Sequence, residues 1–234
     1  MKHIVSFSGG KDSTAMLLMM LEKGIPVDEI VFMDTGKEFP AMYDHIEKVQ
    51  AYIGREVTVL CSPNTFGYYM FDHVKTKGKW QGNKGYGWPG PLSRWCTAAI
   101  KRQPYLKHIK KYRLSTAYIG IAYDEKERTE KNAGLSHRHP LVDWGVTEEE
   151  ALQYCYDLGF TWGGLYEKFS RVSCWCCPLK SLPELRNLYK YYPELWAELK
   201  LMDRLAYNSF RSDYTVEQLE ARFKEEAQQE VLTW

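Results

Sequence analysis

Short apolar runs alternate with helical patterns along the first two thirds of the chain. The first run, at residues 4–7, predicts a buried strand. After a turn at residues 8–10, a helical pattern begins at Asp12 or Ser13 and ends at Gly24. Further strands are predicted at 29–33, 56–60 and 117–121, and further helices at 40–53, from about Cys96 to about Tyr112, and from Thr147 to about Leu158. Because strands that alternate with helices form parallel sheets, we expect an α/β fold with a Rossmann-like parallel sheet and flanking helices.

The remainder of the chain, from Leu182 onward, shows helical periodicity alone. Pro183 and Pro193 suit the first turns of two helices. We therefore expect a C-terminal helical extension, with residues 1–160 forming the α/β domain and residues 161–234 forming a cysteine loop and helices packed on the same core. The apolar stripes of the helices are Leu182, Leu185, Leu188 and Tyr189, then Leu195, Trp196, Leu199 and Met202, then Val216, Leu219 and Phe223.

The turn between the first strand and the first helix predicts an anion site. Its backbone N–H groups point inward, its glycines allow a phosphate to approach closely, and the helix N-terminus adds partial positive charge. Lys11 adds a full positive charge. The common phosphate-binding loop has glycine where this chain has Val5, and Ser or Thr where it has Asp12. We predict a site for pyrophosphate, and an ordinary glycine-rich turn is the alternative.

The string S-G-G-K-D-S at Ser8–Ser13 resembles the PP-loop of the adenine nucleotide alpha-hydrolase superfamily. Enzymes of that superfamily split ATP between its α and β phosphates. Five further segments match, in order, those of its PAPS-reductase-like family, named after phosphoadenosine phosphosulfate, so residues 1–160 resemble a nucleotide-binding domain. The segments are D-T-G-K-E-F-P (34–40), R-W-C-T-A-A-I-K-R-Q-P (94–104), G-I-x-x-D-E-x-x-R (120–128), H-P-L-V-D-W (139–144) and C-W-C-C-P (174–178).

The resemblance implies a site for Mg²⁺-ATP, with Lys11, Asp12 and Arg128 as catalytic residues. The implied ATP-binding residues are Ser6, Ser8, Gly9, Gly10, Lys11, Asp12, Ser13, Asp34, Thr35, Gly36, Gly120, Asp124 and Glu125. Asp12 or Asp34 is the candidate ligand of Mg²⁺. The residues themselves leave alternatives open: Asp34 also fits a capping role in a tight turn, and the acidic residues near Arg128 also fit a solvated loop with a local ion pair.

Positive charge is concentrated in the middle of the chain, although the net charge is only +1. Between His73 and Tyr118 there are eleven Lys and Arg residues and no acidic residue. A loop at 73–95 interleaves these cations with Trp80, Tyr86, Trp88 and Trp95, whose exposed rings would offer faces to unstacked bases. Nucleic-acid binding through residues 75–113 is one interpretation. Binding of the nucleotide's own phosphates by Arg94, Lys101 or Arg102 is another, and a solvated basic loop is a third.

Three of the six cysteines lie within four residues of one another. Cys174 and Cys177 have the C-x₂-C spacing of metal sites, with Cys176 between them. Cys96 precedes a predicted helix start, where we expect a lowered thiol pKa. With Cys96, these thiols predict a [4Fe–4S] cluster bound at three corners, the fourth being open or closed by Cys176. Zinc at the same thiols and plain reduced cysteines are the alternatives. Cys61 and Cys155 are predicted to be buried.

Three functions fit these features. The first is an enzyme that cleaves ATP to AMP and pyrophosphate and adenylates a substrate for sulfur transfer, of the DNA phosphorothioation or tRNA thiolation type. The others are a sulfonucleotide reductase and a non-catalytic nucleotide-binding regulatory subunit. The resemblance favours ATP, because PAPS reductases usually lack Lys11 and use a cysteine near the C-terminus, whereas no cysteine follows Cys177.

The cellular location is predicted from two features, membrane-spanning segments and signal peptides, for which the sequence shows no pattern. The chain has no apolar run of membrane-spanning length, and we expect no signal peptide and a cytoplasmic protein without membrane contact. A sulfur-donor protein and a second copy of the chain are the other partners considered.

Overall fold

The computed structural model describes residues 1–130 and 137–232. Five parallel strands form one sheet in the order β3-β2-β1-β4-β5. This confirms the predicted α/β fold with a parallel sheet. The last strand was not predicted, because two residues are too few for a periodic pattern. The strands are β1 (Lys2–Ser6), β2 (Glu29–Asp34), β3 (Thr58–Cys61), β4 (Ser115–Ile119) and β5 (His137–Arg138).

Helices flank the sheet and form the C-terminal extension. The predicted basic helix begins as a π-helical segment, Cys96–Arg102, and ends at Ile109. Another π-helical segment covers Tyr68–Asp72, and 3₁₀ turns cover Tyr123–Glu125 and Trp162–Glu167. The α-helices are α1 (Lys11–Glu22), α2 (Pro40–Ile53), α3 (Gln103–Ile109), α4 (Glu127–Glu130), α5 (Pro140–Asp143), α6 (Glu148–Asp157), α7 (Leu182–Tyr191), α8 (Pro193–Leu205) and α9 (Val216–Leu232).

The core is built around β1 and α1. Ile4, Val5 and Phe7 are fully buried, and α1 is buried on most of its surface because α6 packs against its far side. The predicted capping box of α6 is confirmed: the Thr147 hydroxyl accepts from the backbone N–H of Glu150, whose carboxylate accepts from the N–H of Thr147. One continuous set of buried side chains joins the sheet to the C-terminal helices.

The strand order reverses direction beside β1. The chain passes from β1 through α1 to β2 on one side, whereas β4 lies on the other side. In such sheets a crevice opens at the carboxyl ends of the two strands where the order reverses, and ligands bind there. Gly120 follows β4 at this point and packs so closely that an added Cβ would lie 2.7 Å from the backbone N of Ser13. The end of β4 and the start of α1 are therefore in direct contact, and both contribute residues to the polar cavity at this edge of the sheet.

The C-terminal helices have the predicted apolar stripes and first-turn prolines. Leu185, Leu199 and Phe223, one from each helix, are buried, and Pro183 and Pro193 lie in first turns. A second capping box, Ser181 with Glu184, was not predicted.

The basic loop 73–95 is fixed to this C-terminal part. The indole N–H of Trp88 donates to Asp203 at 3.0 Å, and its backbone N–H donates to Asn208 at 2.8 Å. Asp203 also accepts from the backbone N–H groups of Phe210 and Val216, each at 2.8 Å. One carboxylate thus connects the loop, the α8–α9 connection and the start of α9.

Within the part of the chain that the structure describes, no helix combines the length and the apolar character needed to cross a membrane.

Candidate functional site

The turn after β1 is held in shape by its own hydroxyls and by one tryptophan. The backbone N–H of Ser8 donates to Ser13 Oγ at 3.1 Å, and that hydroxyl lies 3.0 Å from the carbonyl of Gly10. Gly9 has φ +77°, and its carbonyl accepts from the indole N–H of Trp162 at 2.7 Å. An added Cβ at Gly9 would lie 2.6 Å from Met42 Sδ, so glycine is required there.

A polar cavity of 370 Å³ lies above this turn. Four cations line it: Lys11, Lys101, Arg128 and Arg171. Four carboxylates line the same cavity and pair with three of these cations: Asp12 and Glu148 pair with Lys11, Glu38 with Lys101, and Glu125 with Arg128. A polyanionic ligand such as a nucleotide phosphate chain could bind these cations once a metal ion neutralised the carboxylates. The predicted residues on its wall are Ser8, Gly10, Lys11, Asp12, Gly120, Glu125 and Arg128.

Three carboxylates converge beside Lys11. One oxygen each of Asp12, Glu125 and Glu148 lies within 4.8 Å of the other two. Lys11 Nζ is 2.8 Å from Asp12 and 3.4 Å from Glu148. Burial raises the pKa of Asp12 even though Lys11 opposes the shift, and the two glutamates add to it. A hard divalent cation such as Mg²⁺ prefers such oxygen ligands. Glu148 was missed because, in the sequence, it is only one of three consecutive acids in the first turn of α6.

Not all of the predicted nucleotide residues reach this cavity. Asp34, Thr35 and Gly36 line a separate cavity of 450 Å³ at the end of β2. The Asp34 carboxylate accepts from the N–H of Gly36 and from the Tyr43 hydroxyl, each at 2.8 Å, which is the tight-turn geometry considered above. Ser6, Gly9, Ser13 and Asp124 are also absent from the cavity wall. Asp124 instead accepts from the backbone N–H of Glu148 at 3.1 Å, at the start of α6.

The candidate metal thiols meet in an adjoining cavity of 220 Å³. Cys96, Cys174 and Cys177 line it, whereas Cys176 is 1% exposed and belongs to the core. The Cys174 thiol donates to the buried Glu38 at 3.6 Å and lies 3.4 Å from Thr35 Oγ1. Three of the four predicted ligands are thus brought together.

The expected lowering of the Cys96 pKa is wrong. Burial raises it, the nearby Cys177 adds to the shift, and the contacts from Thr97 and the charge of Lys101 do not compensate. Burial likewise raises the pKa of Cys174 to about 12. The thiols of Cys96 and Cys174 are therefore protonated at neutral pH until a ligand replaces their protons, as metal binding does. Of the two cysteines predicted to be buried, Cys155 is buried, but Cys61 is exposed at the end of an edge strand.

The three thiols are not gathered as closely as the ligands of a single zinc ion. Two sulfurs on one zinc are at most about 4.6 Å apart, because each Zn–S bond is about 2.3 Å. Among the described residues, only the carboxylate trio contains three candidate ligands within 4.8 Å of one another. Cys96, Cys174 and Cys177 are consequently spread too widely for one zinc ion in this conformation, whereas a cluster binds its thiolates at separate iron atoms.

The two cavities share part of their walls. Thr97, Lys101, Arg171 and Ser173 line both. Lys101 is paired with Glu38 at 3.5 Å, and this pairing keeps its pKa above the usual value although burial works in the opposite direction. The anion cavity and the thiol cavity are therefore neighbours separated by a few polar side chains.

The basic loop is packed more tightly than we predicted. Trp88 and Trp95 are buried, so the expectation that they are exposed for base stacking is wrong. Trp88 packs against Phe210, and Trp95 packs against Phe66. Trp80 is 58% exposed. Of the three basic residues considered for phosphate binding, Lys101 lines the anion cavity and Arg94 lines the thiol cavity, whereas Arg102 lines neither.

Comparison with known proteins gives a family and a fold. The model of the family described as the phosphoadenosine phosphosulfate reductase domain matches residues 2–180. The crystal structure of the phosphoadenylyl-sulfate (PAPS) reductase from Candida auris in a phosphate complex is similar, with a TM-score of 0.53 and 18% sequence identity. The similarity covers 75% of this chain and 82% of that chain. At this identity, it shows a shared fold.

Two uncharacterized proteins of Methanocaldococcus jannaschii are each 29% identical to this chain, over 87% and 82% of its length. The matches cover 48% and 39% of those proteins. The chain thus spans less than half the length of either relative.

Proposed function

Because the chain belongs to the phosphoadenosine phosphosulfate reductase domain family, which its residues 2–180 match, we propose that it is a nucleotide-dependent enzyme of sulfur transfer. In this proposal it binds Mg²⁺-ATP above the turn Ser8–Ser13 and adenylates an acceptor. The observation that carries the proposal is that the anion cavity and the three-thiol cavity adjoin and share Lys101 and Arg171. A nucleotide in one cavity would present its α-phosphate next to the sulfur chemistry of the other.

The adenylation step uses the cations of the anion cavity. An oxygen of the acceptor forms a bond to the α-phosphorus, the bond from that phosphorus to the bridging oxygen breaks, and pyrophosphate leaves. Negative charge develops on the leaving pyrophosphate, where Lys11 and the backbone donors of the turn stabilise it. Lys101 and Arg171, which line both cavities, would contact the α-phosphate.

The carboxylates Asp12, Glu125 and Glu148 would hold Mg²⁺. The ion would take over from Lys11 as the positive partner of Asp12 and Glu148, which frees the ammonium group for the phosphates. The predicted Asp12 thus remains the candidate Mg²⁺ ligand, whereas Asp34 is engaged in its own turn.

The thiol cavity would provide the sulfur. Cys96, Cys174 and Cys177 would hold a [4Fe–4S] cluster by three corners. When bound, such a cluster supplies an iron site that can carry sulfide. Hydrosulfide would form a bond to the acceptor atom that carries the adenylated oxygen, the bond from that atom to the oxygen would break, and AMP would leave with the oxygen. Glu38, which accepts from the Cys174 thiol, is the nearest described group able to receive its proton when the ligand binds.

The experiment is a measurement of pyrophosphate release from Mg²⁺-ATP by anaerobically purified protein, with sulfide and candidate acceptors. The proposal expects AMP and pyrophosphate in equal amounts and a thiolated acceptor. Cys174→Ser should abolish thiolation, whereas Cys61→Ser, at an exposed thiol outside the cavity, should not. Visible absorption and iron analysis accompany the assay. A colourless protein containing one zinc ion would contradict the cluster, and ADP with phosphate as products would contradict the reaction.

A sulfonucleotide reductase is the second candidate, because the matched family carries that description. It would release sulfite from a sulfonucleotide in the presence of a thiol reductant. A regulatory subunit would bind ATP without releasing pyrophosphate. Assaying sulfite and pyrophosphate from the same preparation separates the three functions.

We also propose a nucleic acid as the acceptor. The support is the run of eleven cations without an acid between residues 73 and 118, part of which borders the thiol cavity at Arg94. Binding that weakens steeply with salt in a gel-shift titration is expected. A flat salt dependence would exclude a polyanionic acceptor.

A further inference from the structure

The backbone N–H of Lys11 is one of the donors expected to hold a phosphate, and it already has a partner. It donates to the hydroxyl of Tyr166 at 2.7 Å. Tyr166 comes from a distant part of the chain, the 3₁₀ turn Trp162–Glu167, and lines the anion cavity together with Ser8 and Lys11. A phosphate that binds at this turn would therefore contact the hydroxyl of Tyr166, which already accepts from the first N–H of α1.

The turn is adapted to this hydroxyl. A Cβ added at Gly10 would lie 3.3 Å from the Tyr166 oxygen, so glycine at that position gives the hydroxyl its space. The indole of Trp162 packs edge-on against the Tyr166 ring, with centroids 4.9 Å apart and an interplanar angle of 84°. Because Trp162 itself donates to the Gly9 carbonyl, ring and turn are fixed relative to each other at two points.

The hydroxyl still has a proton to give. A tyrosine hydroxyl is one donor and can accept as well. Its oxygen accepts from Lys11, and the side chains that the structure describes form no hydrogen bond with its proton. Burial raises the pKa of Tyr166 well above its usual value, so the proton stays in place at physiological pH. The wall of the cavity thus contains a neutral donor whose natural acceptor is an anionic oxygen.

We propose that Tyr166 is a phosphate-binding residue, whose hydroxyl accepts from the Lys11 N–H and donates to an oxygen of the bound pyrophosphate group. The hydroxyl thus lies between the first N–H of α1, from which it accepts, and the phosphate oxygen, to which it donates. The assignment rests on the proposed function only in that a phosphate chain occupies this cavity. It does not depend on which acceptor is adenylated or on what the thiols bind.

The test is calorimetric titration of the full chain with inorganic pyrophosphate, comparing wild type, Tyr166→Phe and Tyr156→Phe. Loss of a donor to a charged oxygen should weaken pyrophosphate binding by roughly 10- to 100-fold in Tyr166→Phe. Tyr156 contacts the same Trp162 ring but does not line the cavity, so Tyr156→Phe should bind like wild type. Circular dichroism and thermal melting of each variant show whether the fold is kept. Tyr166→Leu, which also lacks the donor, serves as a second variant if Tyr166→Phe is unstable.

The outcomes are separable. Unchanged binding in Tyr166→Phe would overturn the proposal, and so would tighter binding, which would mean that the hydroxyl competes with the ligand for the Lys11 N–H. A wild type that does not bind pyrophosphate would overturn it as well. A Tyr166-dependent affinity in a protein that never cleaves ATP would support the assignment of Tyr166 while refuting the proposed reaction.

Discussion

Lys11 is the residue on which the anion cavity depends most. It is 6% exposed and is flanked by two carboxylates, Asp12 and Glu148, so its charge balances theirs. A buried cation in this position is available to a phosphate chain once a metal ion neutralises the carboxylates. In the proposed reaction Lys11 binds the leaving group, and in the structure it is the counter-ion of Asp12 and Glu148.

Replacing this cation should stop the chemistry. We expect Lys11→Gln to lower the rate of pyrophosphate release by about 10²- to 10³-fold, since a donor to the developing charge is lost. Lys23→Gln is the control, because Lys23 lies just after the same helix, over the Trp144 ring, and away from the cavity. Steady-state kinetics of both variants would measure this, and equal rates in Lys11→Gln and wild type would contradict the role.

Asp12 gives the site a pH dependence with a definite sign. Its pKa is raised from the ordinary value of 3.8, so the fold favours the protonated form. The contribution of Asp12 to the free energy of unfolding is therefore present at low pH and is lost as the pH rises through the raised pKa. Mg²⁺ needs the carboxylate, so its affinity should rise over the same range. Titrating Mg²⁺ at several pH values checks this. An affinity that falls with rising pH would be inconsistent with Asp12 as a ligand.

Sequence analysis identified some residues of the candidate site and missed others. Lys11 and Cys174 were found because glycine-rich turns and C-x₂-C spacing are local patterns. Tyr166 and Glu148 were missed because each reaches the cavity through the tertiary fold, from sequence contexts that look like an ordinary turn and a helix start. The pKa of Cys96 was predicted in the wrong direction because burial, which outweighs its helix position, is not visible in a local pattern.

Among the elements, the contact between β4 and α1 fixes the shape of the crevice. A methyl group on Gly120 would lie 2.7 Å from the N and Cα atoms of Ser13 and 2.8 Å from the carbonyl carbon of Asp12. These are backbone atoms, which cannot rotate out of the way. The strand end and the helix start are therefore in direct contact beside the phosphate turn.

We expect Gly120→Ala to destabilise the fold by roughly 1–3 kcal/mol and to weaken pyrophosphate binding, because the strand end and the turn must separate. Gly67→Ala is a matched control: its φ is −60°, and its nearest neighbour, Thr65 Oγ1, is 3.9 Å from the added methyl group. Chemical denaturation and calorimetry provide the two measurements. Equal stability and affinity in the two variants would show that the crevice tolerates the extra methyl group.

The segment from Trp162 to Cys177 connects the two cavities. It is anchored to the phosphate turn through Trp162 and Tyr166, it contributes Arg171 to both cavity walls, and it ends in the thiol loop, where the N–H of Trp175 donates to the carbonyl of Lys37 at 2.9 Å. A ligand that fills the anion cavity contacts this segment directly. Binding of the nucleotide should therefore change the reactivity of the thiols.

Alkylation of the metal-free protein tests this coupling. Mg²⁺-ATP should slow the modification of Cys177 by iodoacetamide several-fold, because the nucleotide covers the shared wall at Arg171 and Ser173. Cys61 is an internal control, since it is exposed and outside both cavities. Mass spectrometry of the labelled peptides gives both rates in one sample. If ATP left the Cys177 rate unchanged, the cavities would be independent.

For the whole molecule, periodicity predicted the architecture better than the arrangement of the site. The parallel sheet, the alternation of strands and helices along the chain and the C-terminal stripes follow from local patterns of apolar residues. The strand β5 does not follow from such a pattern, because it has only two residues. The packing of Trp88 against Phe210 does not either, because it joins segments that are far apart in the sequence. The separation of the Asp34 turn from the anion cavity is likewise a result of packing.

The proposed function depends above all on the turn Ser8–Ser13, which we propose binds the diphosphate part of ATP. The most direct test of this claim is a calorimetric competition with Mg²⁺-ATP, AMP and pyrophosphate on the full chain. We predict that ATP and pyrophosphate compete for one site and that AMP, which lacks the diphosphate, binds at least about tenfold more weakly. AMP binding as tightly as ATP, with no displacement of ATP by pyrophosphate, would contradict the claim.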